Sequence, residues 1–130
     1  MCDEKRPIVG IGVDMCAISR MERAIEKEHF CSRVFTPQER AYFDAKKKGR
    51  AQSAAAMYAA KEAVAKAFGT GIAEGVFFDQ IEVVHLESGA PQLCLHGESK
   101  QRLEAMGGTR THLSLSHEGD TAIAFVIFEG

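Results

Sequence analysis

Residues 50–68 read Arg50-Ala51-Gln52-Ser53-Ala54-Ala55-Ala56-Met57-Tyr58-Ala59-Ala60-Lys61-Glu62-Ala63-Val64-Ala65-Lys66-Ala67-Phe68, and this run decides the fold. It is dense in alanine, the strongest helix former, and contains neither glycine nor proline, so it predicts one long helix. Gly69-Thr70-Gly71 then stops it. Upstream, residues 8–13 predict a strand punctuated by Gly10 and Gly12 and ending at Asp14. Ser19 with Glu22 three residues on predicts a capping box, opening a helix that runs to about His29. Thr36, Pro37 and Glu39 predict a second box, whose helix stops at Lys46-Lys47-Lys48-Gly49. Downstream, residues 80–86 and 92–96 predict a hairpin, residues 98–106 a short helix, and residues 112–116 with 121–128 a second hairpin turned at Glu118-Gly119-Asp120. Helices and antiparallel hairpins are segregated along the chain. The predicted class is therefore α+β, a compact single domain with the alanine-rich helix packed on hairpins.

The chain has 130 residues, which favours one domain. Its formal net charge of -2 gives no global field for nucleic acid or an anionic membrane. No apolar run approaches the roughly 20 residues of a membrane span, and the charged residues 1–7 lack the apolar core of a signal peptide. They predict a flexible leading segment. Cys2, Cys16, Cys31 and Cys94 are far apart and form no C-x-x-C pair, so spacing predicts free thiols in a reduced, cytoplasmic protein and speaks against zinc.

The helix holds an anomaly. Glu62 and Lys66 are four apart and share a face with Ala55, Tyr58 and Ala59. One reading is an ordinary ion pair on a solvated stripe. The other is a carboxylate kept ionised by a divalent metal, with Lys66 beside an anion bound to that metal. Asp14, after Gly10-Ile11-Gly12-Val13, is placed either to cap a turn or to enter a cleft. With Glu62 it would supply two hard oxygen ligands of the kind magnesium favours. Gly69-Thr70-Gly71 either only caps the helix or also offers backbone N–H groups to a phosphate. His117, in Ser114-Leu115-Ser116-His117-Glu118, is a candidate for binding or proton transfer. The other histidines, His29, His85, His96 and His112, read as structural. Arg20, Arg23 and Lys27 fall on one helical stripe apart from Glu22 and Glu26. That stripe is either solvated or a docking surface for an acidic partner.

Taken together, these motifs resemble the holo-acyl-carrier-protein synthases, the short class of 4′-phosphopantetheinyl transferases. The resemblance rests on Gly10 to Asp14, on Tyr58-Ala59-Ala60-Lys61-Glu62-Ala63-Val64-Ala65-Lys66-Ala67-Phe68-Gly69-Thr70-Gly71, and on Ser114-Leu115-Ser116-His117, in that order across residues 8–128. It implies a transferase domain over residues 8–130. It implies transfer of 4′-phosphopantetheine from coenzyme A to a serine of an acyl carrier protein, for fatty acid biosynthesis. It further implies Mg2+ on Asp14 and Glu62, and Lys66 on the coenzyme A phosphates. Gly69, Thr70, Gly71 and Pro91 would line the nucleotide site. Ser116 and His117 would reach in from a neighbouring subunit of a homotrimer, and Arg20, with Arg23 and Lys27, would grip the carrier. Met57 departs from the pattern, since many relatives carry arginine there. It leaves open an alternative, a coenzyme A-binding regulatory module without transfer, or a replacement of the missing arginine by Arg50.

Overall fold

The computed structural model describes residues 7–71 and 77–130; all but Pro7 of the charged leading segment lies outside them. In chain order the elements are β1 (Ile8–Ala17), α1 (Ile18–Ala24), α2 (Glu28–Val34), α3 (Pro37–Ala45), α4 (Arg50–Phe68), β2 (Ile81–His85), β3 (Pro91–Leu95), α5 (Gly97–Ala105), β4 (Arg110–Glu118) and β5 (Thr121–Glu129). Strands β1, β5 and β4 form an antiparallel sheet in that order, and β2 and β3 form a separate hairpin. The α+β class holds. The long helix α4 has the predicted bounds and ends on Gly69 in the left-handed conformation, φ 86°.

Helix α4 is nearly all core. Ala54, Ala55, Ala59, Ala60, Ala63, Val64 and Ala65 are fully buried, so small side chains let neighbouring backbones press close. Strand β1 uses this. A Cβ on Gly12 would stand 2.0 Å from the Ala63 carbonyl oxygen, and one on Gly10 would stand 2.9 Å from that of Ala67. Only glycine permits that approach. Strand alternation puts Gly10, Gly12, Asp14 and Cys16 on the helix side and Ile11, Val13 and Met15 on the other.

Four expectations fail, each for a tertiary reason. β1 does not end at Asp14; pairing with β5 carries it on to Ala17 opposite Thr121. Ser19 is not an N-cap. Ala17 holds that position without a side-chain cap bond, and the Asp120 carboxylate accepts from Ser19 N–H and Oγ–H at 2.9 and 2.6 Å. The helix is thus capped from the β4–β5 turn, a hundred residues away in sequence. Nor does that helix reach His29. It stops at Ala24, Ile25 turns into the core, and its carbonyl accepts the Cys31 thiol at 3.2 Å. As a result Lys27 precedes α2 as its N-cap and leaves the stripe of Arg20 and Arg23.

The second capping box is present as predicted. Thr36 Oγ1 accepts from Glu39 N–H, and Glu39 Oε1 accepts from Thr36 N–H. Beyond capping, Glu39 is buried and ion-paired with the equally buried Lys61 at 2.9 Å. Lys61 Nζ also donates to the carbonyls of Phe78 and Ile81, and Glu39 Oε2 accepts from Val83 N–H at 2.7 Å. All three ammonium protons therefore have acceptors. Burial pushes the Glu39 carboxyl up and the Lys61 ammonium down, each opposed by the charge of the other. This pair pins α3, α4 and β2 together and fixes the turn of α4 that carries Glu62.

Candidate active site

The contact of β1 with α4 brings Asp14 against Lys66, with Glu62 one turn back on the helix. Asp14 projects from the middle of β1, its side chain 21% exposed. Lys66 Nζ reaches across from α4 to donate to Asp14 Oδ1 at 2.9 Å and to the Val13 carbonyl at 3.2 Å. The ion pair is therefore between elements, not the local helical pair that spacing alone suggested. Glu62 lies one turn before Lys66 and one turn after Tyr58. Burial, then the nearby Glu62 carboxylate, push the Tyr58 phenol up to about 12. Cys16, two residues along β1 from Asp14, reports on the whole group. Its thiol is pushed up first by burial; Arg20 beside it pulls the other way, and Asp14 and Glu62 both add to the rise. Asp14, Cys16, Arg20, Tyr58, Glu62 and Lys66 thus form one electrostatic cluster of hard oxygen donors flanked by cations.

A second cluster lies elsewhere in the protomer. A cleft of about 370 Å³ is lined by Tyr42, Lys46, Gln52, Ser53, His85, Pro91, Ser116 and His117, among others. His85 stacks on Tyr42 with ring centroids 3.9 Å apart, and Lys46 Nζ stands 4.7 Å over the other ring system, that of Tyr42. Burial, and then Lys46, hold the His85 imidazole below its ordinary range, and its Nδ1 is buried without a partner. The cleft therefore offers an aromatic platform, a cation and an unsatisfied polar atom. Asp14, Glu62 and Lys66 do not line it.

The model of the 4′-phosphopantetheinyl transferase superfamily matches residues 10–126. The chain belongs to this superfamily. It is 50% identical over 128 residues to a holo-[acyl-carrier-protein] synthase of Methylobacterium sp. (strain 4-46), covering 94% of each chain. Among solved structures it is similar to the holo-[acyl-carrier-protein] synthase of Neisseria meningitidis, with 38% identity, a TM-score of 0.84, and coverage of 95% and 99% of the two chains. It is also similar to that of Bacillus anthracis in complex with CoA (3′,5′-ADP), with 36% identity, a TM-score of 0.79, and coverage of 95% and 98%.

Other motif positions of this transferase-family chain fall out differently. The N–H groups of Gly69, Thr70 and Gly71 all bond back to the carbonyls of Ala65 or Lys66. They are not free donors for a phosphate. What the segment offers is open space, since a Cβ on Gly69 or Gly71 would meet nothing within 4 Å. Met57 is 1% exposed and packs in the core. Arg50, the alternative arginine, pairs with Asp44 at 2.6 Å. Sequence reading passed over Cys16 and the cleft residues Tyr42, Lys46 and His85. Cys16 carries a weak signal, its even spacing from Asp14 along a strand; Tyr42 and Lys46 at the end of α3 meet His85 on β2 only in the fold.

Proposed function

We infer that this chain transfers the 4′-phosphopantetheine group of coenzyme A to a serine of an acyl carrier protein, releasing adenosine 3′,5′-bisphosphate, and so serves fatty acid biosynthesis in the cytoplasm. What supports this reading is the ion pair of Asp14 with Lys66 where β1 crosses α4, with Glu62 one turn away on the helix, in a chain of this family. No helix among the described residues is long and apolar enough to cross a membrane, which agrees with the cytoplasmic assignment. Residues 8–130 would form the transferase domain.

The donor set fits magnesium: two carboxylates from facing elements and no soft ligand except a protonated, buried thiol. Asp14 and Glu62 would hold the ion, which when bound offsets charge on the coenzyme's pyrophosphate. Lys66, 55% exposed and tethered to β1, presents its ammonium to the same phosphates. The serine oxygen attacks the β-phosphorus, and the bond to the adenosine bisphosphate breaks as the new one forms. The serine proton passes to a base, for which Glu62 and His117 with Glu118 are the candidates. Tyr58, protonated at neutral pH and one turn before Glu62, is a donor able to hold its carboxylate. Arg20, beside this cluster, is placed to meet an acidic carrier helix, with Arg23 one turn on.

The nucleotide half of the site needs the cleft residues Pro91, Ser116 and His117, with Gly69, Thr70 and Gly71 as open-sided lining. In one protomer that cleft and the acid cluster are separate, so a neighbouring copy in a homotrimer would bring one of each together. The experiment is intact-mass measurement of an apo carrier incubated with coenzyme A, Mg2+ and the enzyme. One phosphopantetheine is gained with the native chain and none with Asp14→Ala or Glu62→Ala, both of which remain folded. Coenzyme A binding with no mass gain by the native chain would establish the regulatory-module alternative instead.

A further inference from the structure

Outside the acid cluster and the cleft, the hairpin brings together three side chains of different ligand chemistry. Glu82 on β2 stands directly opposite Cys94 on β3, and His96 is two residues further along the same strand line, so Cys94 and His96 share a face. A carboxylate oxygen, the Cys94 sulfur and an imidazole nitrogen all lie within 4.8 Å of one another. Tetrahedral zinc with bonds of about 2.0–2.3 Å has ligand separations of about 3.3–3.8 Å, so rotamer adjustments of at most about 1–1.5 Å close the set. We propose that Glu82, Cys94 and His96 form a surface site for zinc or a similar borderline divalent metal.

Three further observations support it. First, Glu82 is already oriented. Its Oε2 accepts from Thr36 Oγ1 at 2.9 Å, the outer-shell bond a ligating carboxylate needs, and Oε1 bonds His96 Nε2 at 3.0 Å. Second, the set is one thiolate, one imidazole and one carboxylate. The thiolate selects zinc-like ions over magnesium, so the site does not duplicate the Asp14–Glu62 pair. Third, Cys94 is exposed and His96 about half exposed, which leaves an entry path and a fourth position for water. Binding replaces the Glu82–His96 hydrogen bond with two metal bonds; the thiol proton is released to solvent, and the imidazole shifts to its Nδ1–H tautomer so that Nε2 can ligate. The metal would join β2, β3 and the start of α5, since His96 is the N-cap of that helix.

The test uses the full-length chain, stripped with chelator and titrated with Co2+ in the presence of excess Mg2+. A thiolate-to-cobalt charge-transfer band with the strong visible absorption of a four-coordinate ion is expected, saturating at about one equivalent and bleached by zinc. Cys94→Ser abolishes the band and leaves phosphopantetheine transfer unchanged. His96→Ala weakens zinc binding by more than about tenfold, the lower end of what losing even an outer-shell group does. Cys2→Ser, which removes a thiol outside the described residues, leaves the band intact. A native chain with no charge-transfer band, a band that survives Cys94→Ser, or one lost in Cys2→Ser overturns the proposal.

Discussion

Tyr58 shows how one residue ties the helix to the chemistry. It stacks on Phe78 at 5.5 Å and leans on Phe30 at 6.1 Å, so its ring is held by the core while its hydroxyl points to Glu62. Burial raises its pKa first, and the Glu62 charge and hydrogen bond raise it further, to about 12 from 10.0. The phenol is therefore a fixed donor at any working pH. Glu62→Gln removes the carboxylate charge and leaves burial, the largest raising influence, so the Tyr58 pKa should fall yet stay above its unfolded value. Ultraviolet tyrosinate titration in a Tyr42→Phe background reads this directly. The linkage has a definite sign. A folded pKa above the unfolded one gives stability that is complete below pH 10 and is lost as pH rises through about 12. In Glu62→Gln the loss should be complete at lower pH, which alkaline unfolding followed by circular dichroism checks.

At the scale of elements, the buried Lys61–Glu39 pair does for α3, α4 and β2 what a disulfide does for loops. Lys61→Met leaves Glu39 buried with a charge and no counter-ion, a change expected to destabilise by about 3–5 kcal/mol. Adding Glu39→Leu removes the orphaned charge and should recover much of that loss, as apolar replacement of a buried pair often does. Urea unfolding of the two variants decides it; a double variant no more stable than Lys61→Met would mean the pair is held by geometry rather than by charge. The same pair marks where reading the chain reaches its limit. Thr36-Pro37-Gln38-Glu39 announces its capping box because both partners are local, and the alanine run of α4 announces itself through propensity. That Glu39 also neutralises Lys61, twenty-two positions on, is a tertiary fact without a local period. So is the capping of α1 by Asp120, which overrode the Ser19–Glu22 pattern. Asp14 and Glu62 were legible as candidates because motif spacing marks each separately; the close approach of their two elements depends on Gly12 against Ala63. His85 and Cys94 were not, because a stacked ring and a cross-strand thiol leave no mark in a single sequence.

The outer face of the β1–β5–β4 sheet governs the molecule as a whole. Cross-strand register lines up Ile11 with Ile127, Val13 with Phe125 and Met15 with Ile123, and β4 adds His112, Ser114 and Ser116 alongside. Ile11, Val13, Met15 and Phe125 are 58%, 47%, 64% and 39% exposed. A contiguous apolar patch on the long strands β1 and β5 is what a subunit interface looks like from one side, and Ser116, a proposed nucleotide-site residue, lies at its edge. The proposed homotrimer therefore has a surface to form on, and that surface is continuous with the half-site the acid cluster lacks. Val13→Asp or Phe125→Asp puts an unpaired charge at the centre of the patch. Each variant should elute as a monomer by size exclusion with light scattering, keep its circular dichroism spectrum, and lose nearly all transfer activity. Mixing each inactive interface variant with Asp14→Ala should restore little, because a chain that cannot assemble cannot lend its cleft. A monomeric Val13→Asp that transfers phosphopantetheine at the native rate would show that one protomer holds the complete site, and the division of the chemistry between neighbouring copies would have to be abandoned.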